Sequence, residues 1–77
     1  MNTQQLYRTE FGVERKAIAV EAIRNELGAC VRITESVGSH RTTIIVPAAG
    51  VGELVSALAL AKESFSGDDL SATGKEG

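Results

Sequence analysis

The side chains of this chain that could carry out chemistry form two short groups. Ser36, Ser39 and His40 place hydroxyl groups near a base, and Asp68–Asp69 place two carboxylates side by side. A catalytic serine needs a histidine that is oriented by an acid, and the sequence places no acid beside His40. The aspartates lie in a segment rich in glycine and serine, which cannot hold the geometry of acid–base or metal chemistry. We therefore predict that the chain is not an enzyme.

Two further features could bind a small group. Gly50-Val-Gly52 lacks the third glycine and the lysine of a phosphate-binding loop, so we interpret it as a flexible joint between a strand and a helix. Cys30 lies close to Arg32, whose charge favours a reactive thiolate, but we prefer to interpret it as a small residue on a partly covered sheet face. A lone cysteine forms neither an internal disulfide nor a thiolate zinc cluster. No cofactor or metal is predicted.

A row of polar and basic side chains is the best candidate for a binding surface. The row consists of Arg24, Asn25, Arg32, Thr34, Arg41 and Thr43, on the outward face of two predicted strands and on a connecting turn. Such a face can hold the backbone of a single-stranded nucleic acid. An ordinary solvated sheet face has the same composition, and charge alone does not decide between the two interpretations.

Length and charge limit the classes of function. The chain has 77 residues, a formal net charge of −2 and 43% hydrophobic residues, which indicates one folded domain rather than a disordered chain. Residues 1–46 carry a net charge of +1 and residues 47–77 carry −3, which is compatible with a nucleic-acid ligand without predicting one. We find no secretion signal or membrane-spanning apolar run, and we expect a reducing compartment, the cytoplasm or alternatively the nucleus, with no membrane partner.

Hydrophobic periodicity predicts four strands and one helix. The predicted strands are Gln4–Gly12, Lys16–Ile23, Ala29–Glu35 and Arg41–Val46, and the predicted helix is Val51–Phe65. The order β-β-β-β-α predicts an α+β fold for residues 1–65, with a curved antiparallel four-stranded sheet and a C-terminal helix. Residues 66–77 are predicted to form a disordered acidic tail.

The second predicted strand is apolar on both faces apart from Glu21. Strands of this kind are usually covered on both sides, and a chain with one predicted helix supplies cover for one side only. The apolar residues are mainly alanine and valine, and the alanines bury little area each. Both observations predict self-association, with a second subunit supplying the missing cover.

Residues 28–35, GACVRITE, and residues 38–47, GSHRTTIIVP, are joined by a short turn and followed by a predicted helix. Their order, spacing and turn length resemble the pattern G-x-F-L-R-I-S-E, a Gly/Ser turn and R-S-S/T-I-I-V-P. That pattern belongs to the PUR repeat of the Pur-alpha family of single-stranded DNA- and RNA-binding proteins. The resemblance covers one repeat, from about Leu6 to Ala61. It implies β-β-β-β-α topology and intertwined pairs in which each helix packs against the other repeat, and hence a homodimer.

The family's nucleic-acid motif is only partly present. The family has Lys-x-Asn-x-Arg-Gly at the end of the second strand, followed two residues later by a phenylalanine that stacks on bases. Here residues 23–28 are IRNELG, and Cys30 takes the aromatic position. Stacking contributes roughly 1–3 kcal/mol per base, and this chain lacks the stacking ring. The resemblance therefore implies weak, salt-dependent binding of purine-rich single-stranded DNA or RNA. The predicted contacts are Asn25, Arg24, Arg32 and Arg41.

The alternative is a PUR-like dimerisation or protein-interaction scaffold that has lost nucleic-acid binding. Ile23, Leu27 and Cys30 make the region of the motif less polar than in the family, and an apolar patch suits a protein partner. The acidic net charge also favours this alternative.

Overall fold

The protein consists of one antiparallel sheet and one helix in this computed structural model, which describes residues 2–65, 67 and 69. The elements are β1 (Gln4–Val13), β2 (Lys16–Asn25), β3 (Gly28–Val37), β4 (His40–Pro47) and α1 (Ala48–Glu63). Each strand pairs with the next along the chain, so the sheet has the order β1-β2-β3-β4. The sheet is curved and open, and the predicted α+β fold with β-β-β-β-α order is confirmed.

Three tight hairpins connect the strands, and each leaves two residues at its tip. The pairs that close them are Val13–Lys16, Asn25–Gly28 and Val37–His40. Short hairpin turns match the twist of the strands when their tip residues adopt a positive φ. Gly38 adopts a φ of 60° without a steric cost, and Glu14 adopts 58° at the first tip.

The elements differ from the predicted ones at their ends. The sequence predicts a turn over residues 24–28, but β2 continues through Arg24, because Asn25 pairs with Gly28 and leaves only two residues for the turn. The helix begins at Ala48 rather than Val51, directly after Pro47, which has no N–H to continue the sheet ladder. It ends at Glu63, before the predicted end.

The pairing register divides the sheet into two faces. The polar face carries Arg8, Glu10, Ala19, Glu21, Arg32, Thr34, Ser36, Arg41 and Thr43, together with the apolar Ile23, Cys30 and Ile45. The apolar face carries Tyr7, Phe11, Val13, Ile18, Val20, Val31, Ile33, Val37, Ile44 and Val46. One register shift, between Gln5 and Tyr7, interrupts the pairing of β1 with β2. The other pairings are continuous, so the side chains alternate between the faces along β3 and β4.

The sheet is covered over only part of its width. α1 lies against β3 and β4, and none of its Cα atoms comes within 8 Å of a Cα atom of β1 or β2. Among the described residues only Ile23 is a buried hydrophobic side chain, whereas Tyr7 is 59% exposed and Phe11 49% exposed on the apolar face. Leu58 on the helix is 60% exposed. The monomer therefore leaves large apolar side chains in water on both the sheet and the helix.

The predicted tail, residues 66–77, lies outside the described residues except for Gly67 and Asp69. In the described part of the chain, no helix combines the length and the apolarity that crossing a membrane requires.

Candidate nucleic-acid interface

A shallow groove of about 340 Å³ lies on the polar face. Ala19 lies at its centre, because this short side chain of β2 pairs with Glu10 on one side and Thr34 on the other. The remaining lining side chains are Arg8, Glu21, Arg32, Ser36, Arg41 and Thr43. All of them are polar and the groove is open to solvent, so it suits a ligand that lies across the strands rather than an enclosed small molecule.

Glu21 lies between two arginines of the polar face. Its carboxylate accepts a hydrogen bond from Nε of Arg32 at 2.8 Å and pairs with Nε of Arg8 at 3.5 Å. The three residues face one another because Glu21 pairs with Arg8 on β1 and with Arg32 on β3. The Glu21 side chain is 13% exposed, whereas those of Arg8 and Arg32 are 44% and 41% exposed. The carboxylate therefore sits deeper in the face than the cations that bracket it.

The arginines hold Glu21 in its charged form. The hydrogen bond from Arg32 lowers the pKa of Glu21 below its ordinary value, and the positive charges of Arg32 and Arg8 act in the same direction. Partial desolvation opposes this shift without reversing it. The same hydrogen bond raises the pKa of Arg32. The pair is consequently ionised at neutral pH.

Arg41 differs from the other two arginines of the groove. It lies opposite Ser36 in the register of β3 and β4 and is exposed. It has no ion-pair partner among residues 2–65, 67 and 69. Beside it, the hydroxyl groups of Thr34 and Thr43 lie 3.4 Å apart across the strands. An unpaired guanidinium next to hydroxyl groups is a combination that contacts phosphate oxygens.

The structure brings two of the four predicted contact residues together. Arg32 and Arg41 both line the groove on the polar face. Arg24 pairs with Ala29 and so lies on the apolar face, because β2 continues through it instead of turning there. Asn25 ends β2, and its Oδ1 accepts a hydrogen bond from the backbone N–H of Leu27 at 2.8 Å. That bond gives Asn25 a structural role in the hairpin, of the kind that asparagine side chains commonly have in turns.

The predicted row lacks five of the nine side chains that line the groove, including Arg8 and Glu21, which meet in an ion pair. The other three are Glu10, Ala19 and Ser36. Strand alternation places Arg8 on the same face as Glu10, but only the antiparallel register shows that Arg8 and Arg32 both lie beside Glu21. The signal available in the sequence is Glu21 itself, the one charged residue in an otherwise apolar stretch of β2. A lone charge in such a strand indicates a partner on the neighbouring strand.

The other reactive side chains considered in the sequence analysis do not converge on a common site in the described part of the chain. Ser36 lies on the polar face, whereas Ser39 is at the tip of the last hairpin and His40 begins β4 on the opposite face. Cys30 is a free, half-buried thiol. Among the described residues no group of histidine, cysteine, aspartate and glutamate side chains could hold a metal ion. Asp68 lies outside the described residues.

Comparison of the chain with models of protein families, with curated proteins and with solved structures finds no significant match. The resemblance to the PUR repeat therefore rests on the quoted residue patterns alone.

Proposed function

We propose that this chain is a non-catalytic module that forms a homodimer through its apolar surfaces and binds single-stranded nucleic acid on the polar face. The observation that carries the nucleic-acid part is the convergence of Arg8, Arg32 and Arg41 with hydroxyl groups around one open groove. Guanidinium and hydroxyl groups are the side chains that contact phosphate and sugar in protein–nucleic acid complexes. The resemblance to the PUR repeat predicts the same class of ligand.

The dimensions of the polar face suit a single strand. Neighbouring strands lie about 4.8 Å apart, so four strands present a face roughly 14 Å wide. A single-stranded backbone crosses such a face over a few nucleotides. The three arginines and two glutamates of the groove give it a net charge of +1. Binding is therefore weak and depends on salt, because few phosphate contacts are available.

The shape of the monomer supports the homodimer. The chain has an accessible surface of 6132 Å², whereas a compact monomer of its mass has about 4,500 Å². Its radius of gyration is 14.8 Å, compared with about 11.5 Å for a compact domain of this length. The excess surface, about 1,600 Å², lies within the range that one protomer contributes to an obligate interface. A second copy that covers the apolar face and the helix would bury part of this surface.

Fluorescence anisotropy tests the nucleic-acid part of the proposal. The probe is a labelled purine-rich single-stranded oligonucleotide, titrated with the protein at about 50 and 200 mM salt. We expect micromolar binding at the lower salt concentration and a steep loss at the higher one. Absence of binding at the lower concentration would contradict the proposal.

Matched arginine variants locate the binding surface. Arg41→Ala removes the unpaired cation of the polar face and is expected to weaken binding by about fivefold to tenfold, with a shallower dependence on salt. Arg24→Ala removes the same charge from the apolar face and is expected to leave binding unchanged. Equal losses for the two variants would show that net charge, rather than the groove, determines binding.

A second candidate function is a protein-interaction scaffold without nucleic-acid binding, and the observation that favours it is Leu27. This side chain is 96% exposed at the tip of the hairpin between β2 and β3. Ile23 is buried and Cys30 half-buried, so only Leu27 of the three apolar replacements is available to a partner. A dimer that persists in light scattering while the oligonucleotide fails to bind would favour this candidate.

A further inference from the structure

The ion pairs of the polar face link its charges to one another. Glu21 pairs with Arg32 at 2.8 Å and with Arg8 at 3.5 Å, while Glu10 pairs with Arg8 at 3.3 Å. Two of the three arginines of the groove are therefore already bound to a carboxylate. Glu21 is the least exposed of these four side chains. A ligand that approaches from solvent therefore reaches guanidinium groups that are still paired with the deeper Glu21 carboxylate.

A carboxylate in this position acts on an incoming phosphate in two ways. It neutralises part of the positive charge that attracts the phosphate, and it occupies donors that the phosphate could use. It also fixes the side chain of Arg32, which reduces the entropy lost when a ligand binds. The first two effects weaken the binding of anions and the third strengthens it. Because Glu21 contacts two arginines while carrying a full charge, we expect the weakening effects to dominate.

We propose that Glu21 is an internal competitor for phosphate groups, which sets the affinity of the polar face for single-stranded nucleic acid by holding Arg8 and Arg32. The inference rests on the proposed function for the identity of its ligand. It adds that the low affinity follows from a glutamate in the groove, and that the groove holds two further cations that become available when this carboxylate is removed.

The test compares Glu21→Gln with Glu35→Gln. Glutamine keeps an oxygen that can accept the hydrogen bond from Arg32 but carries no charge. Glu35 is a matched control, because it lies on β3 on the opposite face, where it pairs with Lys16 at 3.2 Å. Both variants change the net charge of the chain equally. Circular dichroism confirms the fold of each variant, and Glu21→Thr, which keeps a residue suited to strands, replaces Glu21→Gln if that variant does not fold.

Two probes separate the inference from the proposed function. The oligonucleotide titration at about 50 mM salt is expected to show binding that is about fivefold to tenfold tighter for Glu21→Gln than for the wild type. The slope of log affinity against log salt is expected to steepen by about 0.7 for each arginine that gains a phosphate contact. The second probe is a heparin column, from which Glu21→Gln is expected to elute at higher salt than Glu35→Gln.

The outcomes are distinct. If neither the wild type nor Glu21→Gln binds the oligonucleotide, but Glu21→Gln elutes later from heparin than the control, the competition by Glu21 stands and the nucleic-acid ligand is wrong. If Glu21→Gln gains no affinity over the wild type on either probe, the competition is wrong. A loss of affinity in Glu21→Gln would instead identify Glu21 as a positioning residue for Arg32.

Discussion

The polar and apolar faces belong to the same four strands, but their side chains differ in whether they find interaction partners within one chain. On the polar face, Glu21 lies between Arg8 and Arg32, so these charges are paired within the monomer. On the apolar face, Tyr7 and Ile44 are 59% and 52% exposed although both are large and apolar. The charges around Glu21 are paired within one chain, whereas the apolar face leaves large apolar side chains exposed to water.

This difference assigns different roles to the two faces. Solvent screens the ion pairs of the polar face because both arginines are well exposed, so loss of these pairs is expected to change stability little. Burial of apolar area is the main favourable term in folding and association, and the monomer uses little of the area that its apolar face offers. We infer that stability depends mainly on the apolar face and ligand binding on the polar face, and each of the following predictions tests that division.

The largest effect is expected from a charge at the centre of the apolar face. Ile33 lies on β3 and pairs with Val20 and Ile44 on the neighbouring strands. Ile33→Asp places an unpaired carboxylate on the face that the proposed second copy would cover, which costs about 3 kcal/mol or more. A domain of this size has a few kcal/mol of stability, so the variant is expected to lose its structure in circular dichroism.

Thr34→Asp is the matched control for Ile33→Asp. Thr34 is the next residue of the same strand, but it lies on the polar face beside Thr43. Thr34 is half-buried but lines the groove that is open to solvent, so the added charge can be hydrated and the fold is expected to survive. An equal loss of the circular dichroism signal in both variants would contradict the division of roles between the two faces.

The second effect concerns the helix. Leu58 is 60% exposed on α1 and lies with Val51 and Leu54 on one apolar stripe. Leu58→Glu is expected to weaken the dimer at least about tenfold, since a buried leucine side chain contributes roughly 1.5–3 kcal/mol. Light scattering measures the effect as a shift from twice the chain mass of 8.1 kDa to that mass itself at micromolar concentration.

Ser56→Glu adds the same charge on the other side of the helix. Ser56 is exposed and lies away from the stripe of Leu58. The dimer is expected to persist in this variant. A wild-type chain that is monomeric at all micromolar concentrations would contradict the homodimer directly.

The fold could be predicted from the sequence because its signals are local. Alternation along the strands, the Gly38 turn and the single proline before the helix determine the order of the elements and the two faces. The role of Arg24 could not be predicted in this way. The face on which Arg24 lies depends on whether β2 ends at Ile23 or continues to Asn25. Strand boundaries predicted from sequence are not accurate to two residues, and a difference of one residue moves a side chain to the other face.

Prediction of the site required knowledge of which residues lie opposite one another on neighbouring strands. Arg32 and Arg41 could be assigned to one face from the alternation in β3 and β4, and the structure places both in the groove. Glu21 could not be assigned a partner, because that depends on which residues of β1 and β3 lie opposite it. The proposed homodimer rests on one observation at each level, the two-sided apolar pattern of β2 in the sequence and the exposed apolar face in the structure.

The third prediction concerns the centre of the groove. Ala19 has a short side chain between Glu10 and Thr34, and this keeps the groove open. Ala19→Leu is expected to weaken oligonucleotide binding by about fivefold, because the larger side chain keeps phosphates away from the arginines. Ala19→Ser is the control of similar size. Unchanged binding in Ala19→Leu, with an intact dimer, would show that the ligand does not use the groove.

The smallest effect is the contribution of Glu21 to stability, which depends on pH. The ordinary pKa of this carboxyl group is 4.5, and the hydrogen bond from Arg32 lowers it in the folded chain. As the pH falls, the unfolded chain therefore takes up the proton before the folded chain does. The stabilisation is complete above pH 4.5 and is lost as the pH falls through the lowered pKa of the folded state. Arg32 stays charged over this whole range, since its pKa is raised.

Thermal unfolding of the wild type and of Glu21→Gln measures this contribution across the acidic range. The wild type is expected to melt slightly higher at neutral pH, and the gap is expected to close as the pH falls below 4.5 and through the lowered pKa of Glu21 in the folded state. The gap is small because the arginines are well exposed and solvent screens the pair. A gap that stays constant down to acidic pH would show that the variant acts through packing rather than charge. Together with tighter nucleic-acid binding by the same variant, a closing gap would mean that Glu21 slightly stabilises the polar face while limiting its affinity for phosphate.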